Sequence, residues 1–377
     1  MNKWVKPIIA GLLSLVFLEA CSSSMESSGQ VTLNPGDNFQ QANDNFPGGT
    51  VFLVRAGVHS KQRVHNPKNG NVWLGEGGAI LDGDNYISAA FTGNAENVTI
   101  QGIEIKNYVD NGIFFDSGSN VILKRLTISD SGSGNGELNG AIRLNDVQQI
   151  HISHSFFTRV SAGILPTSCT GPVNIEWNTG INIGRNFIQL DKCEGEGIRV
   201  QYNTMERIDE LLRPGANDVI DWISIFRSNG TEQDPIRIMH NRARGHGYSD
   251  TGSFIMLGDE GGSYQIAEGN VGVTPGQVGI GIAGGDYITV NKNILYSEEW
   301  EDSNVAFYSA NFSSPVPCSN HTISNNRSFW YYNDGQQNNI WTDQRCDAVL
   351  LNNRYPDKSL NHNIWESSKA ANIKTGN

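Results

Sequence analysis

The chain has 377 residues, 42 of them glycine, with 18% charged residues and a formal net charge of −12. That acidic balance argues against a nucleic-acid partner, which needs a basic face. The abundance of glycine and the lack of long Ala/Glu/Lys/Leu stretches argue against a helical protein and suit short strands joined by many turns.

At the N-terminus Lys3 and Lys6 precede the apolar run Ile8–Leu18, and Ala20-Cys21 follows. This order of charge, apolar stretch and small residue is that of an export signal. A cysteine directly after the small residue resembles a bacterial lipoprotein signal, and the resemblance implies cleavage after residue 20, a lipid on Cys21 and attachment to a membrane. An outer-membrane or cell-surface location is therefore expected, with a periplasmic or secreted protein as the alternative. Residues 21–30 read as a polar tether. Asp37–Phe46 has Phe39, Ala42 and Phe46 at helical spacing and is expected to form a short helix.

From there the chain repeats with an irregular period. Four segments share an apolar-x-apolar-x-x-Asn pattern: Val173/Ile175/Asn178, Ile198/Val200/Asn203, Ile236/Ile238/Asn241 and Ile288/Val290/Asn293. Earlier segments Val98/Ile100, Val121/Leu123 and Ile150/Ile152 carry the apolar pair alone. Alternation with period two buries one face of a strand. The asparagine after it suits a tight left-handed corner and a side-chain ladder from coil to coil. A second strand recurs in each repeat, as in GIFFD, AIRLND, FIQLDK, WISIFRS, FIMLGD, GIGIAG and NVAFYS. Stacked in parallel, these strands predict an inward column of Ile113, Ile142, Ile164, Ile188, Ile223 and Ile255 and a polar outward column beside it. The segments between strands are too polar and glycine-rich for crossover helices. The expected fold is all-β, one single-stranded right-handed parallel β-helix over residues 31–355 with a short N-terminal capping helix, and a monomer. This arrangement resembles the pectin-lyase-like β-helix superfamily. Residues 356–377 are read as a tail, with Trp365 as its anchor, covering the open end.

Four cysteines remain after Cys21, and an even number in an exported chain suggests disulfides. Cys169 and Cys193, and likewise Cys318 and Cys346, lie about one coil apart, so these are the expected pairs.

The strands at 221–260 collect the residues able to do chemistry. Consecutive coils bring Asp221, Arg227, His246, Asp259 and Glu260 towards one surface. Arg143, Gln189, Asp191 and Lys192 extend it along the second strands, with Glu137, Asp218 and Asp250 in loops leading into them. Trp222, Phe226, Tyr248 and Trp300 are candidates to stack on sugars, and Arg244 is a further cation. Two mechanisms fit a polysaccharide substrate. The first is β-elimination on a uronate polymer, with Arg227 or Lys192 neutralising the carboxylate or acting as base and His246 carrying the proton. Asp221 would orient the substrate or hold Ca²⁺, for which Asp191, Glu194, Glu196 and Asp218 are further candidate ligands. The second is hydrolysis by a carboxyl pair, Asp221 with Asp259 or Glu260. A non-catalytic glycan-binding surface protein is the third reading.

Two local resemblances bear on this. Asp221–Thr231, DWISIFRSNGT, is similar to a stretch of the alginate lyase and chondroitinase B family. The match implies a metal-binding role for Asp221 and a base near Arg227, although Arg227 is an arginine and lies one place beyond that family's lysine position. Gly245-His246-Gly247, with Asp218 and Asp221 one coil earlier, resembles the polygalacturonases, without their adjacent aspartates. The run Gly279–Gly285 leads directly into YITVN with no helix, so it reads as tight coil packing rather than a nucleotide loop.

Overall fold

A computed structural model describes residues 29–132, 139–208, 221–246, 251–312 and 315–368. Parallel strands wind into a β-solenoid of about ten turns, the parallel β-helix expected from the repeats. Each turn has three walls. The first two belong to a hydrogen-bonded sheet of 23 strands that bends at a corner, and the third is a separate sheet of 11 strands. In one turn, Ile188–Asp191 lies on the first wall, Ile198–Gln201 on the second and Thr204–Glu206 on the third. The next first-wall strand is Asp221–Asn229.

The inward column is present in register. Ile113, Ile142, Ile164, Ile188, Ile223 and Ile255 pair successively with one another and continue to Ile280. All seven are fully buried. Because successive strands place the same position at the same depth, one β-branched residue type fills the column at close packing.

The asparagine ladder is longer than the sequence pattern suggested. It runs Asn178, Asn203, Asn241, Asn270, Asn293, Asn326 and Asn353. Each backbone N–H and each Nδ2 up to Asn326 donates to the next Oδ1 at 2.8–3.1 Å. The second Nδ2 hydrogen goes to a strand carbonyl one coil back, as from Asn241 to Val200. Asn270 escapes the sequence pattern because a polar Gln265 replaces the first apolar residue of its coil. That side chain is buried and satisfied at both ends, by Gly258 N–H at 2.9 Å and by the Ser228 carbonyl at 2.8 Å. The left-handed residue of the corner is the one before the asparagine, Trp177, Tyr202 and His240 among them, not the asparagine itself. These three, with His154, stack their rings outside the corner.

The capping helix spans Phe39–Asn45, with Asn38 accepting from the Gln41 N–H at its start. Phe39 is buried and stacks on Trp73, while Phe46 lies past the helix end and is exposed. Both expected disulfides form, Cys169–Cys193 and Cys318–Cys346. The C-terminal segment departs from expectation. Asp357 pairs with Arg327, and buried Trp365 lies beneath the guanidinium groups of Arg242 and Arg244. Residues 357–365 therefore run back along the outside of the third wall, because cation–π contacts and an ion pair hold them there. The last strand, Ala348–Leu351, leaves Val349, Leu350 and Leu351 exposed. Among the described residues no helix is long and apolar enough to cross a membrane.

Candidate functional site

Beside the inward isoleucines, the outward positions of the first wall form a column. Arg143 precedes Leu165, then Gln189, Ser224, Met256, Gly281, Tyr308 and Trp341 follow. Neighbouring strands are about 4.8 Å apart, yet Tyr308 touches a residue two coils back: its hydroxyl donates to Met256 Sδ at 3.0 Å. The tyrosine lies down along the wall, and Gly281 makes the room. A Cβ at position 281 would stand 2.4 Å from Tyr308 Cε1. The ring therefore spans the coils between its own strand and the carboxylates.

Those carboxylates are Asp221 and Asp259. Asp221 begins the strand Asp221–Asn229, pairs with Ser253 across the sheet, and is only 7% exposed. Its Oδ1 accepts the Ser253 N–H at 2.9 Å, and its own N–H donates to Asn186 Oδ1 at 3.2 Å. Burial, and then repulsion from Asp259, push its carboxyl up to about 7, against the opposing pull of the Ser253 backbone and hydroxyl and of Arg185. Asp259 is half-buried, and burial and the neighbouring Glu260 raise it as well, with Arg227 acting in the other direction. The Tyr308 phenol is pushed up by burial and by both aspartates, so it stays protonated. Two carboxyls and a phenol thus share one field on the outer surface, and Asp221 is poised to hold a proton near neutrality.

The other candidates divide by wall. Asp191, Lys192, Arg227 and Glu260 gather at the corner where the first wall ends, and the last three have left-handed backbones. Arg227 grips Asp191 through Nε and Nη2 at 2.9–3.1 Å and lies over the Phe226 ring. Lys192 and Glu260 are exposed. Gln189 accepts from Asn186 at 2.8 Å, which links it to Asp221 through a shared asparagine. Arg143 lies further along the same column, over Phe114 and bonded to Asn145, and burial lowers its guanidinium.

Two candidates do not belong. Trp222 is fully buried and its indole donates to the Pro275 carbonyl at 2.8 Å, so it is core. The corner before Ile223 turns the ring inward, where strict alternation would have turned it out. Arg244 lies on the third wall, paired with Glu206 and covering Trp365. His246 stacks face to face on Trp300 at 3.7 Å between centroids, which occupies one face of the tryptophan. Tyr248, Cys21, Glu137, Asp218 and Asp250 lie outside the described residues.

Among the described residues, Asp191, Glu194, Glu196 and Asp221 do not come together at metal-ligand spacing. Both Asp191 oxygens face Arg227. Among the described residues the group with metal-ligand spacing is Cys318, His321 and Cys346, whose two sulfurs are joined in a disulfide. His321 Nδ1 also accepts the Ile288 N–H at 3.3 Å.

Tyr308, Met256 and Asn186 were not singled out from sequence, and Gly281 was read only as part of a tightly packed glycine run. Tyr308 could have been found by counting coils, since it follows Phe307, which pairs with Ile280 at the end of the inward column. What had no signal was its reach, which depends on a missing side chain two residues before Ala283.

No family model and no curated protein sequence matches the chain. Solved structures do resemble it. The GH136 lacto-N-biosidase from Eubacterium ramulus is 13% identical, with a TM-score of 0.55 over 83% of this chain and 63% of that one. The DFA-IIIase from Arthrobacter chlorophenolicus A6, in complex with GF2, is 12% identical, with a TM-score of 0.54 over 80% and 83%. A PL6 family polysaccharide lyase from Pseudopedobacter saltans is 11% identical, with a TM-score of 0.47 over 89% and 94%. At these identities the likeness is one of fold, the parallel β-helix.

Proposed function

We propose that the protein is a carbohydrate-active enzyme that hydrolyses a glycosidic bond at the Asp221–Asp259–Tyr308 site. The observation that carries this is the buried Asp221 carboxyl, raised to about 7 beside a second carboxyl on the outer face of the solenoid. Glycoside hydrolysis needs one carboxyl that keeps its proton until the leaving oxygen takes it, and another that is ionised. Asp221, the more deeply buried, supplies the proton. Asp259, more exposed and facing Arg227, is the ionised partner that activates water or attacks the anomeric carbon. The Tyr308 phenol, kept neutral, orients the sugar or the leaving oxygen by hydrogen bonding. The lacto-N-biosidase resemblance supports the fold's suitability for such a substrate.

The elimination reading relies on cations that are engaged elsewhere. Arg227 is forked to Asp191, and Arg244 is on another wall. Lys192 remains exposed at the corner and keeps elimination testable. Purified protein lacking residues 1–21 should release reducing ends from a glycan panel without the ultraviolet absorbance of unsaturated uronates. Asp221→Asn and Asp259→Asn should each abolish that release. Both signals rising together, and surviving in Asp221→Asn, would establish the lyase instead. Running the panel with Ca²⁺ and with chelator tests the metal at the same time.

We infer an exported protein, since two disulfides suit an oxidising compartment. A lipid on Cys21 is tested by radiolabelled palmitate in the bacterial host, where Cys21→Ser should lose the label.

A further inference from the structure

Beyond Tyr308 the outward column continues to Trp341, which pairs with it across the sheet. Phe312 follows the strand Val305–Ser309 and closes a triangle of rings: Tyr308 to Phe312 at 5.7 Å, Tyr308 to Trp341 at 6.1 Å and Phe312 to Trp341 at 6.2 Å. The three differ sharply in exposure. Tyr308 is 5% exposed, Trp341 45% and Phe312 66%. Trp341 and Phe312, contiguous and open to water beside the buried apolar cluster of Tyr308, Val278, Val305, Ala283 and Ala310, mark a binding surface. Here the patch is joined through Tyr308 to both carboxyls.

We infer that Phe312 and Trp341 form the platform on which one sugar ring of the substrate rests, and that this sugar is neutral. The inference rests on the hydrolase reading of the carboxyl pair. A pyranose offers a flat face of C–H bonds that fits an exposed aromatic ring, with hydroxyls left at its rim. The platform's position then sets the direction of the glycan. It runs along the solenoid axis, from Trp341 over Tyr308 to the carboxyls and on towards Gln189 and Arg143. Charge selects against an acidic sugar at this end. The path from the platform leads over Tyr308 into the field of Asp221 and Asp259, and Arg227, the cation that acts on Asp259, is already bound to Asp191. Past Trp341, Arg345 donates to Asp343 through both Nε and Nη2. The exposed Lys192 stands at the corner five coils from Trp341, so a uronate on the platform would turn its carboxylate towards Asp221 and Asp259 without reaching that cation.

The test is calorimetric titration of the Asp221→Asn protein, which binds without turnover, with neutral gluco-, galacto- and manno-configured tetrasaccharides and with tetragalacturonate. A neutral tetrasaccharide should bind saturably. Adding Trp341→Ala should weaken that binding about tenfold, and Trp341→Phe should restore most of it. Phe312→Ala should act in the same direction. Preference for tetragalacturonate, no binding of any neutral tetrasaccharide, or binding unchanged in Trp341→Ala each overturns the platform. Hydrolysis is scored separately on the protein with Asp221 intact. Turnover that persists undiminished in Trp341→Ala removes the platform and leaves the hydrolase. Platform-dependent binding in a protein that cleaves none of the panel removes the hydrolase and leaves the platform.

Discussion

Two columns run along this solenoid, and they are built on opposite principles. The asparagine ladder repeats one residue, and its amides are answered by neighbouring copies and by strand carbonyls, as Asn203 is by Asn241 and by the Ile175 carbonyl. The outward column of the first wall repeats nothing: Gln189, Ser224, Met256, Gly281, Tyr308 and Trp341 succeed one another. Its polar groups do not cancel. Asp221 and Asp259 repel one another, and the Tyr308 hydroxyl donates its hydrogen bond to a thioether, a weak acceptor. Repetition marks where each coil makes the same structural demand. Its breakdown, with charge left unbalanced at depth, marks where the wall is available for chemistry.

The contrast can be broken most strongly at Asp221. Asp221→Asn should cost about 10²–10⁴-fold in turnover, the usual worth of a positioned proton donor, while thermal melting shows the protein as stable as the parent or more so. In the ladder the expectation is reversed. Asn241→Ala leaves the Asn203 N–H and Nδ2 without their acceptor inside the protein. It should cost about 3 kcal/mol in a urea titration and leave turnover per folded molecule unchanged. Gly281→Ala lies between the two. The new Cβ displaces the Tyr308 ring, so activity should fall by about tenfold with a smaller loss of stability than at Asn241. The smallest effect is in pH dependence. A carboxyl whose folded pKa is raised stabilises the fold fully below its unfolded value near 3.8, and that contribution is lost as pH rises towards about 7. The stability of Asp221→Asn relative to the parent should therefore be greater at pH 8 than at pH 4, and parental turnover should decline above about pH 7. A pH-independent stability difference would show that Asp221 is not held protonated.

Much of the site was legible because strand stacking converts sequence spacing into proximity. Asp221, Asp259, Arg227, Asp191 and Gln189 were named from the repeats and do lie along one wall or its corner. Trp222 was misassigned because alternation fails where a strand turns in from a corner loop, and there a large ring gains more from burial than from the pleat. Arg244 was misassigned because the third wall begins immediately after the ladder asparagine, so three residues along the chain carried it to another face. The tail was misplaced because Trp365 announces that it is buried but not against what.

By itself the sequence determined the solenoid, its inward isoleucine column, its asparagine ladder and both disulfides, since all of these follow from positions that recur once per coil. Only the tertiary structure decided which acid holds its proton, that Tyr308 reaches back across Gly281, and that Trp341 and Phe312 stand open beside it. Those properties depend on burial and on the space left by neighbours several coils away, and neither is written in the spacing of a repeat.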